Sequence, residues 1–473
     1  MPCVFSASVS SRALPALLHH LARHYQADLL LCGPLAPAAA PRTERSIAGI
    51  GPVRELELQA NTQREQLHDF CFSPCKTAVP GTIGYLSYSH GLARYGIPND
   101  TPESKPEGLP DELPEGLFRQ YAILLIISPA QEAPGSQDSV HNAVGTHVLE
   151  CHTAEVLPDS LCGLPPTELL DELKALCSDE TSVDPLPAHI PPLTREALSG
   201  RLRQSLDQKA YVRGVERVLE HIRDGDTYQL NLSTRFDADL SGTAFDPLSF
   251  FMHMWEQHPA PFYAWLSHGS KRIISTSPER FLCVRDGQVL SQPIKGTLEF
   301  ETCTEGMEEA LTASPKESAE LSMIVDLIRN DIATRCEYGS VQVSTHKATF
   351  TVDRLIQMYS DVRGTLRAGS TCLDLLLDAF PGGSVTGCPK QRTMRIIEAE
   401  EPHSRGLYCG SIIFIEDPAN MDSSIAIRTG WYDIYTKALC FFSGSGIVLD
   451  SNPESEYRET LAKAGKFLRA LAS

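Results

Sequence analysis

Apolar residues recur along this chain in two rhythms. Between Lys209 and Asp224, the residues Val212, Val215, Val218, Leu219 and Ile222 share one face, which predicts an amphipathic helix. Between Ala319 and Ile332, the residues Leu321, Ile324, Val325, Ile328 and Ile332 fall at i, i+3, i+4, i+7 and i+11, which predicts a second one. Shorter continuous runs read as strands. Ala27 to Cys32 and Tyr121 to Ser128 are apolar strand candidates, and Gly81 to Tyr88 is a run punctuated by glycine. The first ~170 residues therefore read as alternating short strands and loops. A turn at Asp224-Gly225-Asp226 precedes a predicted strand from Tyr228 to Phe236. Asn452 and Pro453 read as N-cap and first residue of a last helix that runs to Leu471, with Glu454 and Glu456 at its positive end.

Prolines divide the pattern. Pro102 to Gly116 is polar and Pro-rich and reads as a surface loop, and Ser178 to Thr194 carries Pro185, Pro187, Pro191 and Pro192. The expected organisation is an N-terminal lobe over 1–177, a Pro-rich linker over 178–200 and a catalytic region over 201–473. Hydrophobic residues make up 42% and charged residues 21% of the 473, as in ordinary globular proteins. The net charge of −19 argues against nucleic-acid binding, which needs lysine and arginine to replace phosphate counterions. An anionic substrate would need local cations or a metal. The 14 cysteines follow no framework spacing and read as reduced thiols, and Met1 to Ser10 has no basic segment followed by an apolar run. No apolar stretch approaches the ~20 residues of a membrane helix, so the expected location is the cytoplasm, away from membranes.

The candidate chemistry gathers in the second half. Lys295 lies in Ser291-Gln292-Pro293-Ile294-Lys295-Gly296-Thr297, sixteen residues after Glu279. A free lysine is an ammonium, and becomes a nucleophile only when desolvated or placed near another cation. The plain alternative is a strand lysine beside a Gly-Thr turn. Glu317 and Glu320 are i, i+3 on one predicted helix, and Glu456 and Glu459 are i, i+3 on another, with Lys463 one turn beyond. Two such pairs meeting across a cleft would form an oxygen site for Mg2+; two solvated helix faces would look the same in sequence. Phe380 to Lys390 is a Gly-rich turn leading into a helix, and Ser443-Gly444-Ser445-Gly446 ends a strand; both can offer backbone N–H groups to an anion or serve as tight turns. Arg428, in the strand-like apolar run Ile425 to Thr429, needs either a substrate carboxylate or an internal aspartate.

Taken in order, SPERF, PIKGT, AExxMIVDLxRND, PGGSVTGCPK, IRT and GSGIVxDSxPxxExxET resemble the chorismate-utilising enzymes, strongly from Lys209 to Ser473 and loosely before it. That family includes the anthranilate, aminodeoxychorismate, isochorismate and salicylate synthases. The resemblance implies an α+β fold, two large antiparallel sheets packed face to face with helices outside. It implies chorismate as substrate and Mg2+ as cofactor. Within the family, the lysine of PIKGT is similar to that of the aminodeoxychorismate synthase component I branch. The lysine that activates water in the isochorismate branch is replaced by Gln229. The implied roles are nucleophile for Lys295 and general acid for Glu279. Glu320 and Glu459 match metal ligands, and Glu317 and Glu456 match residues acting through metal-bound water. Tyr408, Arg428 and the backbone of Gly444 and Gly446 match the enolpyruvyl-carboxylate site, and Ser384 and Lys463 match positions near the ring carboxylate. Ammonia would come from a separate glutamine amidotransferase subunit or from solution, since the sequence shows no glutaminase of its own. The alternatives are an anthranilate synthase component I and a non-catalytic scaffold that only binds chorismate. Two departures stand out. Gln357 replaces a family histidine, and Leu29-Leu30-Leu31-Cys32 stands where tryptophan-inhibited members carry Leu-Leu-Glu-Ser.

Overall fold

The computed structural model describes residues 3–32, 45–59, 62–98, 113–130, 146–178, 183–188, 191, 193–257, 260–300, 306–352 and 355–472. Most of the loop expected over 102–116 lies outside them. Among the described residues twenty strands join into one network in which every pair of named strands is antiparallel.

The network forks at one long strand, Gly116–Pro129. One of its edges carries Ser46–Leu58 along its whole length; the other carries Thr82–Leu86 at its start and Thr146–Thr153 at its end. From Ser46–Leu58 an arm continues through Asp28–Leu31, Phe262–His268, Lys271–Ser277, Thr429–Asp433 and Ala438–Ile447 to Gln229–Asp239. From Thr82–Leu86 a second arm continues through Ser411–Asp417, Asn420–Ile425, Arg280–Arg285 and Gln288–Gln292 to Leu355–Thr365 and Ile294–Glu299.

Alternate residues on one strand serve different cores, because successive side chains of a strand point to opposite faces. Leu266, Ile273 and Phe442 from the first arm join Phe281, Ile413 and Met421 from the second in a core between the arms. Their neighbours Trp265, Ile274 and Phe441 pack outward against Leu17 and Leu21, Phe250 and Phe251, and Phe467 and Leu471 of three covering helices. Burial on both faces is also why Tyr121 to Ile127, inside Gly116–Pro129, reads as a continuous apolar run. The expected α+β class, with two antiparallel sheets and helices outside, is what forms.

The local expectations fare unevenly. The helix predicted from Lys209 spans Gln208–Arg223, and the strand after it spans Gln229–Asp239. The helix predicted over Ala319–Ile332 starts earlier and spans Pro315–Ala333, because Ser314 caps it by accepting from Glu317 N. The strand expected up to Tyr88 ends at Leu86, and Tyr88 opens the helix Tyr88–Arg94. The N-terminal part is more than strands and loops. It also holds the helices Leu14–His24, Arg64–Phe72 and Pro166–Ser178. The first of these was legible, since Leu14, Leu17, Leu18 and Leu21 repeat at i, i+3, i+4 and i+7 and all are buried. Among the described residues every cysteine is a free thiol. No helix among them is long and apolar enough to cross a membrane.

Candidate active site

The last strand of the second arm, Ile294–Glu299, carries Lys295. It pairs with Leu355–Thr365 so that Lys295 faces Met358 and Thr297 faces the adjacent Gln357. Gly296 is therefore one residue too many for the ladder, and it takes φ +79°. The expected Gly-Thr turn is a β-bulge, which bends the strand and re-aims the lysine beside it. Lys295 Nζ lies 3.5 Å from Glu320 Oε1. Gln229 Nε2 lies 3.5 Å from the same oxygen. A Cβ on Gly446 would stand 2.5 Å from Glu320 Oε1, 2.9 Å from Lys295 Nζ and 3.1 Å from Gln229 Nε2. Glycine at 446 lets the ends of these three polar side chains converge over its Cα, and a side chain there would push them aside.

Glu279 follows the strand Lys271–Ser277 and is buried, with its N–H held at 3.2 Å by Ser277 Oγ. Burial pushes its carboxyl up to about 7, against the opposing pull of the Ser384 hydroxyl, the Lys295 charge and the Ile294 backbone. A carboxyl poised there can give up a proton near neutral pH. Ser384 sits in the short 3-10 turn Gly383–Val385, ahead of the helix Lys390–Glu400.

The two acidic helices Pro315–Ala333 and Pro453–Leu471 bring their glutamates to one end of this space. Burial raises Glu317 to about 7, and the charges of Glu320, Glu459 and Glu456 add to it. Burial likewise raises Glu456, with the Glu459 charge adding; Ser451 Oγ donates to it at 2.6 Å and Lys316 Nζ lies 3.4 Å away. Glu459 is the exception. Burial works against its charge, but Lys463, at 2.7 Å, with the Lys295 and Lys316 charges adding, outweighs burial and holds the carboxyl below its ordinary value. Lys463 Nζ also donates to Gly444 O at 3.3 Å.

Arg428 lies not inside a strand, as expected, but in the break between Asn420–Ile425 and Thr429–Asp433, at φ +49°. Its carbonyl accepts from Thr276 N and Thr276 Oγ1, both at 3.1 Å, which holds the left-handed kink in place. The guanidinium donates to Gln357 Oε1 at 3.4 Å. Tyr408 is buried and stacks on Phe442, with ring centroids 5.1 Å apart.

One cavity of about 750 Å³ is lined by Glu279, Lys295, Glu317, Glu320, Ser384, Tyr408, Arg428, Gly444, Gly446, Glu459 and Lys463. Of the candidate residues, only Glu456 stands behind this lining. The same wall includes Asn231 and Phe442, which were not picked out in sequence. Period-two counting would have found both. Asn231 is two residues from Gln229 on one strand, and Phe442 is two before Gly444 on another. Leu30, Leu31 and Cys32 line a separate, mainly apolar cavity of about 540 Å³ with Phe262 and Phe414.

The family model described as chorismate binding enzyme matches residues 36–469. The chain belongs to the chorismate-binding enzyme family. Aminodeoxychorismate synthase component 1 of Klebsiella aerogenes is 38% identical over 282 residues, 58% of this chain and 61% of that protein. The protein of that name from Escherichia coli K12 is 38% identical over 277 residues, 58% of this chain and 60% of its own length. These matches thus span less than two thirds of the relatives concerned. An anthranilate synthase component 1 of Haloarcula marismortui is 33% identical over 404 residues, 84% of this chain and 74% of that protein. Among solved structures, anthranilate synthase component I of Streptococcus pneumoniae superposes with a TM-score of 0.68 at 25% identity, covering 92% of this chain and 94% of its own. The menaquinone-specific isochorismate synthase MenF of Escherichia coli gives 0.69 at 14% identity, covering 99% and 94%, a likeness of fold.

Proposed function

We propose that this chorismate-binding enzyme is the aminodeoxychorismate synthase component I, which makes 4-amino-4-deoxychorismate for 4-aminobenzoate and folate synthesis. The observation that carries the reading is Lys295, set on a bulge in the cavity wall, with Glu279 in the same wall as a carboxyl near neutrality. As free amine, Lys295 attacks C2 of chorismate, both ring double bonds shift, and the C4 hydroxyl departs as water with the Glu279 proton. Ammonia then adds at C4, the double bonds shift back, and the C2–N bond breaks to release Lys295. Two easier displacements replace one difficult substitution. Arg428, Lys463 and the N–H groups at Gly444 and Gly446 are the groups available to hold the substrate carboxylates.

The donor set suits Mg2+. Glu317, Glu320 and Glu459 line one end of the cavity with Glu456 behind them, and mutual repulsion adds to burial in raising Glu317 and Glu456, an excess of charge that a divalent cation would relieve. Among the described residues, the only trio of possible metal donors within 4.8 Å of one another is Glu55, Glu57 and His268, at least two of them exposed. No three of the four glutamates bring their oxygens within that distance of one another, so an ion here would draw on water and substrate oxygens as well, as Mg2+ prefers. Glu320 and Glu459 would hold the ion directly, and Glu317 and Glu456 through water. When bound it would supply charge neutralisation at the ring carboxylate. Ammonia would reach the cavity from a separate glutamine amidotransferase subunit or from solution.

The Haloarcula match favours a second reading, in which ammonia adds at C2 while the C4 hydroxyl departs as water, and pyruvate is then eliminated from C3 to give anthranilate. Product identity separates the two. The chain would be incubated with chorismate, Mg2+ and ammonium, and the product weighed by mass spectrometry. Aminodeoxychorismate, with its enolpyruvyl group intact, is the expected result, and it should vanish in Lys295→Ala. Anthranilate with free pyruvate would establish the second reading, and glutamine-driven turnover by the chain alone would exclude the separate amidotransferase.

A further inference from the structure

We propose that Arg405, locked by Glu401, is a positioning residue that ties together from behind the two wall segments presenting Asn231 and Ser384 to the substrate. The inference rests on the reading that chorismate occupies this cavity. Both side chains of the pair are 1% exposed. Arg405 Nε donates to Glu401 Oε2 at 2.8 Å and Nη2 to Glu401 Oε1 at 2.7 Å. The same guanidinium then reaches two carbonyls on different elements. Nη1 donates to Val385 O at 2.9 Å, and Nη2 donates to Asn231 O at 2.6 Å. The Tyr88 ring lies beneath it at 4.8 Å. Glu401 Oε1 in turn accepts from Ser233 N at 2.7 Å and Ser233 Oγ at 2.9 Å.

The pair therefore holds Asn231 and Ser233 of one strand and Val385 of the 3-10 turn as one unit. Asn231, Ser384 and Val385 all line the cavity. Asn231 Nδ2 is buried there without a hydrogen-bond partner among the described residues, so it is a donor left for something the cavity receives. Ser384, next to Val385, hydrogen-bonds Glu279. A buried ion pair contributes little net stability, since desolvation consumes most of the attraction. Its use here is geometric, because a planar fork serves both the carboxylate and two carbonyls, which one ammonium cannot do. His403, which lies 3.6 Å from Glu401, does not compete as a cation, because burial drops its ring to about 4.

Arg405→Lys keeps the charge and loses the fork. Steady-state kinetics, calorimetric chorismate binding and thermal unfolding would be measured on this variant, on Ser233→Ala and on the unaltered chain. The expected result for Arg405→Lys is a chorismate KM and Kd raised about tenfold, with the ammonium KM unchanged. Unchanged chorismate KM and Kd with a lowered unfolding temperature would reduce the pair to packing and overturn the proposal. Should Arg405→Lys not fold, Ser233→Ala decides, since it removes one hydroxyl from Glu401. A chorismate KM raised about threefold supports the clamp, and no change sinks it. Failure of the unaltered chain to bind chorismate would overturn the functional reading instead, and calorimetry reports that separately.

Discussion

The helices Pro315–Ala333 and Pro453–Leu471 are both 19 residues long, and both open with proline behind a side-chain cap, Ser314 in one and Asn452 in the other. Each directs a pair of glutamates, three residues apart, toward the cavity end. Their charges nevertheless differ. In the last helix Lys463, one turn after Glu459, supplies a cation from the helix itself at 2.7 Å. In the first, the residue one turn after Glu320 is Ile324, which is buried in the core between the sheets. Glu320 takes its cation from another element, Lys295 at 3.5 Å, and Glu317 sits among like charges and rises to about 7. Equivalent local sequence thus yields one helix whose Glu459 is held first by its own Lys463, with Lys295 and Lys316 adding, and one whose Glu320 depends on a strand lysine.

The sharpest way to break this comparison is to neutralise one glutamate on each helix. Glu320→Gln and Glu459→Gln should each lower kcat/KM for chorismate by about 10²-fold or more, and each should raise the Mg2+ concentration needed for half-maximal rate. An unchanged Mg2+ dependence in Glu320→Gln would remove that helix from the metal site. The next effect is Lys463→Met, which makes the last helix resemble the first. Without its cation, Glu459 stays protonated to higher pH, and a protonated carboxyl is a poor metal ligand. Mg2+ binding should therefore weaken severalfold near neutral pH and recover as pH rises. Loss that does not recover at alkaline pH would mean that Lys463 acts on the substrate rather than through Glu459.

A smaller effect is a pH slope in stability. Glu279 and Glu317 both rise from an ordinary 4.5 to about 7 in the folded chain. Between those values the folded state binds more protons than the unfolded one, so stability falls as pH rises and is flat again above the folded value. Without added metal, the unfolding temperature should drop from pH 4.5 towards pH 7. Glu317→Gln should flatten part of that slope, and saturating Mg2+ should offset it. A variant as steep as the parent would show that Glu317 is already ionised.

What could be read beforehand tracks how local the physics is. The start of the last helix was placed to the residue, because Asn452, Pro453 and the acids after them act on the backbone next to them. The same signal at Ser314-Pro315 was available, but apolar periodicity, which begins only at Leu321, set the boundary too late. The motif order led to the cavity, because its residues come from turns and bulges with distinctive glycines. Arg428 was misplaced in a strand, since nothing in Ile425 to Thr429 shows the left-handed kink that Thr276 holds from a neighbouring strand. The contrast in charge between the helices was out of reach for the same reason. It depends on Lys295 and on burial, both set by the packing of distant elements.

The mildest test concerns the caps, where the two helices should behave most alike. Ser455 N donates to Asn452 Oδ1 at 3.0 Å, and Glu317 N donates to Ser314 Oγ at 3.4 Å. Replacing either acceptor by alanine leaves a helix-start N–H without its partner and should cost about 1 kcal/mol, with Asn452→Ala the larger because its bond is shorter. Urea unfolding reads this directly, as a lower midpoint at unchanged slope. The caps separate again once charge enters. Ser314→Asp should keep its helix start while pushing Glu317 further up, because the new carboxylate stands three residues from a group already among like charges. Asn452→Asp places its charge seven residues from Glu459, whose cation is on the same helix, and should leave that titration where it was. Equal changes in the two variants would mean that the difference between the helices does not come from Lys463.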